Sequence, residues 1–306
     1  MGFEFSSCYV RTRNIIGIAA QKWPHSDSLE QRDTALFFYY PDEPEGSESW
    51  AVRYLGETTG VHGCAAFKPN ERWVFVTEDG ESYVIGQGDD DWESPVVQMR
   101  SPIFSNVKAV RNGHAIAVGP NRKVFMRKAK NSWVPISRGL FPRGEDTNLE
   151  HAGFRDVDGF SEKDMYACGG LGDLWHYDGD IWGNIDVPTN SSLENVCCAD
   201  DGIVYITTNR REILMGRGET WQLIRQELTD QVFESIVNYR GQVIVSTISK
   251  LFFADGGEFR FADLGVPEMK SRAHLAAGDG ILVVAGNDEA VMYDGQAWSV
   301  ILESAS

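Results

Sequence analysis

The sequence predicts an all-β chain, a seven-bladed β-propeller of four-stranded antiparallel meanders, and three observations lead there. The first is a duplication. The stretch YDGDIWGNI at 177–185 returns as YDGQAWSVI at 293–301, with Tyr, Asp, Gly, Trp and Ile at the same offsets. The second is a period: Trp50, Trp92, Trp133, Trp182, Trp221, Phe259 and Trp298 recur at intervals of 38 to 49 residues, close to the span of one propeller blade. The third is a repeated grammar upstream of each aromatic. It runs as an apolar β-rich run, a short polar turn, a second apolar run, a Gly/Asp/Ser turn, and then the aromatic.

Taken in order, the units are expected at 3–55, 61–97, 103–137, 151–187, 193–224, 233–264 and 272–302, within a single domain of residues 1–306. The third reads HAIAVG, PNR, KVFMRK, AKNS, WVPIS; the fifth reads IVYITT, NRRE, ILMGR, GET, WQLI; the seventh reads ILVVAG, NDE, AVMYD, GQA, WSVI. A further short run precedes each, such as VKAVR, NVCCAD or AHLAAGD, which makes four strands per unit. Strands this short, joined by two to four turn residues, can only form hairpins. A lone meander has two apolar faces and cannot bury both; a radial array lets each unit pack on two neighbours. The aromatic opening each fourth strand is expected to fill the seam between blades, with Trp182 in the core. Asp178-Gly179 between two apolar runs is a hairpin turn rather than an acidic ligand site.

The fourth unit, with Gly169-Gly170, Tyr177 and Trp182, resembles a kelch repeat. The other units lack the double glycine, and none carries the Gly-His and Trp-Asp pairs of WD40 repeats. As a whole the chain resembles the divergent WD40-like or kelch-like propellers of bacteria. That resemblance implies a binding platform and, for some of its members, an immunity protein that stands beside a toxin in interbacterial competition. It carries over no functional residue.

Composition agrees with one propeller. The chain has 306 residues, 42% of them hydrophobic, and 31 glycines suit a protein made of turns. The N-terminal MGFEFSSCYVRTRN has no basic segment followed by an apolar one, and the apolar runs are strand-sized, which argues against a membrane span. Five cysteines include the neighbours Cys197 and Cys198, which a strand points to opposite faces, so small buried thiols are expected instead of a disulfide. A reducing cytoplasm fits this usage.

Catalytic and metal motifs are lacking, so no catalytic residue, cofactor or metal is assigned. The six histidines are scattered, and His62 with Cys64 has no second ligand pair, which leaves a turn histidine beside a packed cysteine. RDVDGF at 155–160 contains part of a calcium loop without its distal ligands and is expected to be a turn between first and second strands. The glycines of GQG (86–88) and GRG (216–218) belong to hairpins, not to a phosphate-binding loop before a helix. Sialidase-type boxes are absent from the sequence, although a carboxylate pair of a glycosidase is a third possibility in a chain with 45 acidic residues.

Charge remains. A net charge of −17 opposes direct binding of nucleic acid. In an up-and-down blade the first-to-second and third-to-fourth turns share one end, and the second-to-third turns and interblade links share the other. The third-to-fourth turns are expected to hold thirteen acids, among them Asp42, Glu43, Glu45, Asp89, Asp90, Asp91, Asp255 and Glu258, against Lys128, Lys130 and Arg217. The opposite end carries Trp23, Arg122, Arg138, Phe141, Arg143, Arg210 and Arg211, on the two longest insertions and on short turns. Such loops are where binding concentrates. The sequence therefore predicts a cytoplasmic, non-enzymatic protein-binding propeller that is a monomer outside its complex. In its sharpest form it is an immunity protein neutralising a basic effector, such as a nuclease-like toxin whose cleft an acidic surface would cover. A general scaffold or assembly factor is the alternative.

Overall fold

A computed structural model describes residues 3–22, 32–42, 49–96, 104–140, 153–225, 227, 229–255, 258–261, 266–267 and 274–303. It contains seven four-stranded antiparallel sheets, each in sequential order, in the arrangement of a β-propeller. The blades span 3–58, 61–93, 106–135, 154–185, 193–225, 235–261 and 274–303. Among the described residues the one helical segment is a single 3-10 turn at Gly170–Gly172.

Burial explains why the sequence reads as it does. Second strands such as Ala115–Gly119, Val204–Thr208 and Ile281–Ala285 are buried at every residue. In Ala115–Gly119 and Ile281–Ala285 both faces are covered by neighbouring blades, so these sequences are unbroken apolar runs. Fourth strands such as Thr220–Arg225 alternate between exposed and half-buried, as an edge with one wet face does. Several hairpins close through two residues with positive φ: Gln87-Gly88 (49° and 92°), Arg240-Gly241 (50° and 79°) and Asp279-Gly280 (47° and 78°). That geometry matches the twist of the strands it joins.

The chain forms two compact units, 62–236 and 1–61 with 237–306. In the second of these, the first and last blades pack directly on one another. Phe5, Ile16 and Ile18 share a core with Ile281, Val283 and Ile301, and Phe5 N donates to Asn287 O at 2.8 Å. Each blade is completed by its own four strands, so no strand is exchanged between the chain's two ends.

In the other unit, blades 2 to 5 are tied by ion pairs as well as by apolar cores. Arg127 of blade 3 grips Glu93 of blade 2 through two bonds of 2.9 and 2.7 Å, both residues buried. Arg122 of blade 3 grips Asp173 of blade 4 in the same bidentate way, at 2.8 and 2.8 Å, and lies over the Trp175 ring. Paired and fully bonded, such charges avoid the penalty of an isolated buried ion.

RDVDGF is not a turn. It belongs to the first strand of blade 4 (Phe154–Ser161), where alternation puts Asp156 and Asp158 on one face. Asp156 accepts from Asn106 Nδ2 (2.7 Å) and Lys108 Nζ (2.6 Å) of blade 3 and from Val196 N (2.8 Å) of blade 5. Asp158 accepts from Cys198 N at 2.7 Å. Two carboxylates thus staple the first strands of three blades. Burial works against the Lys108 charge, but Asp156 and Asp158 more than offset it and raise its pKa. His62, expected in a turn, is the second residue of a strand (Val61–Ala66); burial lowers its pKa to about 4, opposed by Asp156, so it is neutral at pH 7. All five cysteines are free and buried.

Candidate protein-docking surfaces

Several of the acids expected at the hairpin end lie among the described residues, and most of those have partners that the sequence does not reveal. Asp42 is exposed at the start of the third-to-fourth connection of blade 1, which the bond from Tyr40 N to Ser49 O closes; Glu43 and Glu45 lie outside the described residues. In blade 2 the turn is only Gln87-Gly88, so Asp89, Asp90 and Asp91 belong to the fourth strand (Asp89–Glu93) rather than to the turn. Asp89 is bound by Arg72 Nε at 3.0 Å and Lys130 Nζ at 3.2 Å. The Lys130 hydrogen bond, reinforced by the Lys130 and Arg72 charges, holds its carboxyl below the usual range. Tyr83 OH donates to Asp90 at 2.6 Å, while Asp91 is exposed and accepts from Trp92 N. Asp255 and Glu258 face each other across the blade 6 hairpin; their side chains lie outside the described residues.

First-to-second turns add bases that a tally of third-to-fourth turns leaves out. Arg111 of blade 3 reaches Asp200 of blade 5 at 2.8 Å, and Lys68 of blade 2 reaches Glu162 of blade 4 at 3.4 Å. Arg138, expected at the link end, pairs instead with Asp180 in the third-to-fourth turn of blade 4. The hairpin end of blades 2 to 5 is therefore a lattice of pairs, some part-buried and some exposed, and the exposed ones contribute little individually to stability.

The link end differs. Arg122, expected to meet a partner, is buried against Asp173 and cannot: its guanidinium is already satisfied inside the seam. Arg210 and Arg211 are exposed at the tip of the second-to-third turn of blade 5. Trp23, Phe141 and Arg143 lie outside the described residues. The residue sequence reasoning missed is Leu171, at the equivalent tip of blade 4: it is 51% exposed with φ 59° and ψ 40°. Its one signal was a leucine between two glycines where the grammar calls for a polar turn.

Among the described residues no group of three or more His, Cys, Asp or Glu could hold a metal ion. The chemistry these surfaces offer is contact: charge over a wide area and a few exposed apolar side chains, Leu171, Ile181 and Ile248 among them.

Seven four-stranded blades presenting loops of this kind define a WD40-like propeller. The fold resembles the WD40 β-propeller domain of Doa1, at 12% identity over 96% of this chain and 94% of that one, with a TM-score of 0.68. It also resembles Saccharomyces cerevisiae Sqt1, at 10% identity over 98% and 86% with a TM-score of 0.60, and YCF48 bound to D1 peptide, at 13% over 75% and 76% with a TM-score of 0.54. At such identities the likeness shows the fold alone. No family model matches the chain. The immune protein Tsi7 of Pseudomonas aeruginosa, however, is 30% identical over 244 residues, 79% of each chain. The chain belongs to the family of that immune protein.

Proposed function

We propose that this chain is an immunity protein that binds and neutralises a cognate effector by covering it, without catalysing a reaction. The observation that carries the reading is its membership of the Tsi7 family over most of both chains, together with a fold that offers loops for contact. A basic effector is supported by the net charge of −17: a field of that sign steers a cation-rich surface and speeds association. Because most described acids at the hairpin end of blades 2 to 5 are already paired, this charge acts through the field of the whole protein more than through single contacts. Five unpaired thiols support a reducing compartment, the cytoplasm.

The test is growth of a host expressing the cognate effector, identified by pull-down from the native host, with and without the chain. Survival only in the presence of the chain is expected; loss of growth in both cultures would overturn the reading. With both proteins purified, added salt should slow association, because exposed charges act over about 8 Å at physiological ionic strength.

A further inference from the structure

The link end of blades 4 and 5 combines features that a free surface does not need. Leu171 occupies the left-handed region, which branched side chains avoid, yet its side chain stands half in water. The turn is held rigidly in that shape. On one side Asp173 is locked by Arg122; on the other, Gly172 N donates to Ser191 O at 2.9 Å. Gly172 itself has φ 69°, and a Cβ there would come within 2.3 Å of Thr189 O, so the link can approach only because the residue is glycine. The tip of blade 5 is fastened to the same link, since Ser192 N donates to Asn209 Oδ1 at 3.1 Å.

Two further observations place chemistry beside the leucine. Arg210 and Arg211 are exposed at that fastened tip, and the Arg225 side chain, 81% exposed, stands at the end of the blade 5 fourth strand, paired with Glu212 at 3.0 Å. In a chain of charge −17 the two tip arginines make this a locally basic point, with Asp186 exposed along the link. One residue from Thr189, Pro188 opens an exposed cleft of about 490 Å³, lined with Trp221, Gln222, Leu223 and Arg225. A preset apolar knob, at an end of the blades that also carries exposed arginines and an open cleft, has the form of a binding anchor, because little ordering remains to be done when a partner arrives.

We propose that the link end of blades 4 and 5 is the docking surface for the effector, with Leu171 as its anchor. The complementary patch on the effector is an apolar pocket bordered by carboxylates. This rests on the immunity reading and deepens it. The overall negative field draws a basic effector in, and a local patch of opposite sign fixes where it seats.

The experiment compares wild type with Leu171→Asn, Arg210→Glu and Ile181→Asn, the last at an exposed apolar residue on the hairpin end of the same blade. Each is measured for thermal midpoint and for dissociation from the purified cognate effector. Asparagine tolerates the left-handed region, so Leu171→Asn should leave the midpoint unchanged or raise it while hastening dissociation by about tenfold or more. Arg210→Glu should also hasten dissociation, and Ile181→Asn should not. Unchanged dissociation for Leu171→Asn, a lowered midpoint, or an equal effect from Ile181→Asn would overturn the proposal. A wild-type dimer dissolved by Leu171→Asn would do so too, giving the patch to a second copy of this chain. If wild type fails both to bind and to protect, the immunity reading falls and the anchor with it; loss confined to the Leu171 and Arg210 variants supports both.

Discussion

The two near-copies in blades 4 and 7 fold into the same turn but bury their tryptophans differently. Asp178 Oδ1 accepts from Asp180 N and Ile181 N, both at 2.9 Å; Asp294 Oδ1 accepts from Gln296 N and Ala297 N at 2.7 and 2.9 Å. Gly179 and Gly295 share φ 100°. Tyr177 and Trp182 pair across the strands at 5.1 Å between rings, Tyr293 and Trp298 at 5.0 Å. Yet Trp182 is 2% exposed, while Trp298 is half-buried. The interblade link crosses Trp182: its Nε1 donates to Ile136 O at 2.6 Å, its backbone N to Arg138 O at 2.9 Å, and Leu140 packs in its core. Five residues of local sequence set the turn; burial is set by a segment more than forty residues away in the chain.

The largest effect that can break this comparison is at the tryptophans. Trp182→Ala should destabilise by about 3–5 kcal/mol, as a large aromatic leaving a packed core does, and Trp298→Ala by about 2 kcal/mol. Equal losses in denaturant unfolding would mean that the link contributes nothing. Next come the turns. Asp178→Ala and Asp294→Ala should lower the unfolding midpoint by similar amounts, each less than the corresponding tryptophan change, because each removes the same two hydrogen bonds at an exposed site.

The smallest effect is titration of these carboxyls. The N–H bonds of residues 181 and 180 hold Asp178, and those of 297 and 296 hold Asp294, below the usual carboxylate range. With folded values depressed, their contribution is present above the unfolded value and is lost as pH falls through the folded one. Side-chain NMR should show both carboxyls depressed alike; one normal and one depressed would separate the two turns.

The same division between local and distant causes decides what the sequence could disclose. Strands, turns and the blade period are local, so the seven meanders were legible from alternation, Gly/Asp turns and the recurring aromatics. The acids at 89–91 were placed in the turn rather than in the fourth strand because Gln87-Gly88 closes the hairpin alone. Asp156 and Asp158 looked like a turn because their purpose lies in the backbone amides of blade 5 and in Lys108 of blade 3, which no spacing displays. Arg122 looked like a surface cation because Asp173 is far away in the chain. Leu171 carried almost no signal: exposure and a left-handed backbone are properties of the folded tip, not of the letters Gly-Leu-Gly.

The central claim, that this propeller acts by binding its effector, is tested most directly by isothermal titration of the purified chain into its purified cognate effector, identified by pull-down from the native host, with effector activity assayed at each addition. The account predicts one chain per effector, a dissociation constant in the roughly nanomolar range of specific protein pairs, and activity extinguished at equivalence. Absence of heat at micromolar concentrations with activity intact, or binding that leaves the effector fully active, would contradict it.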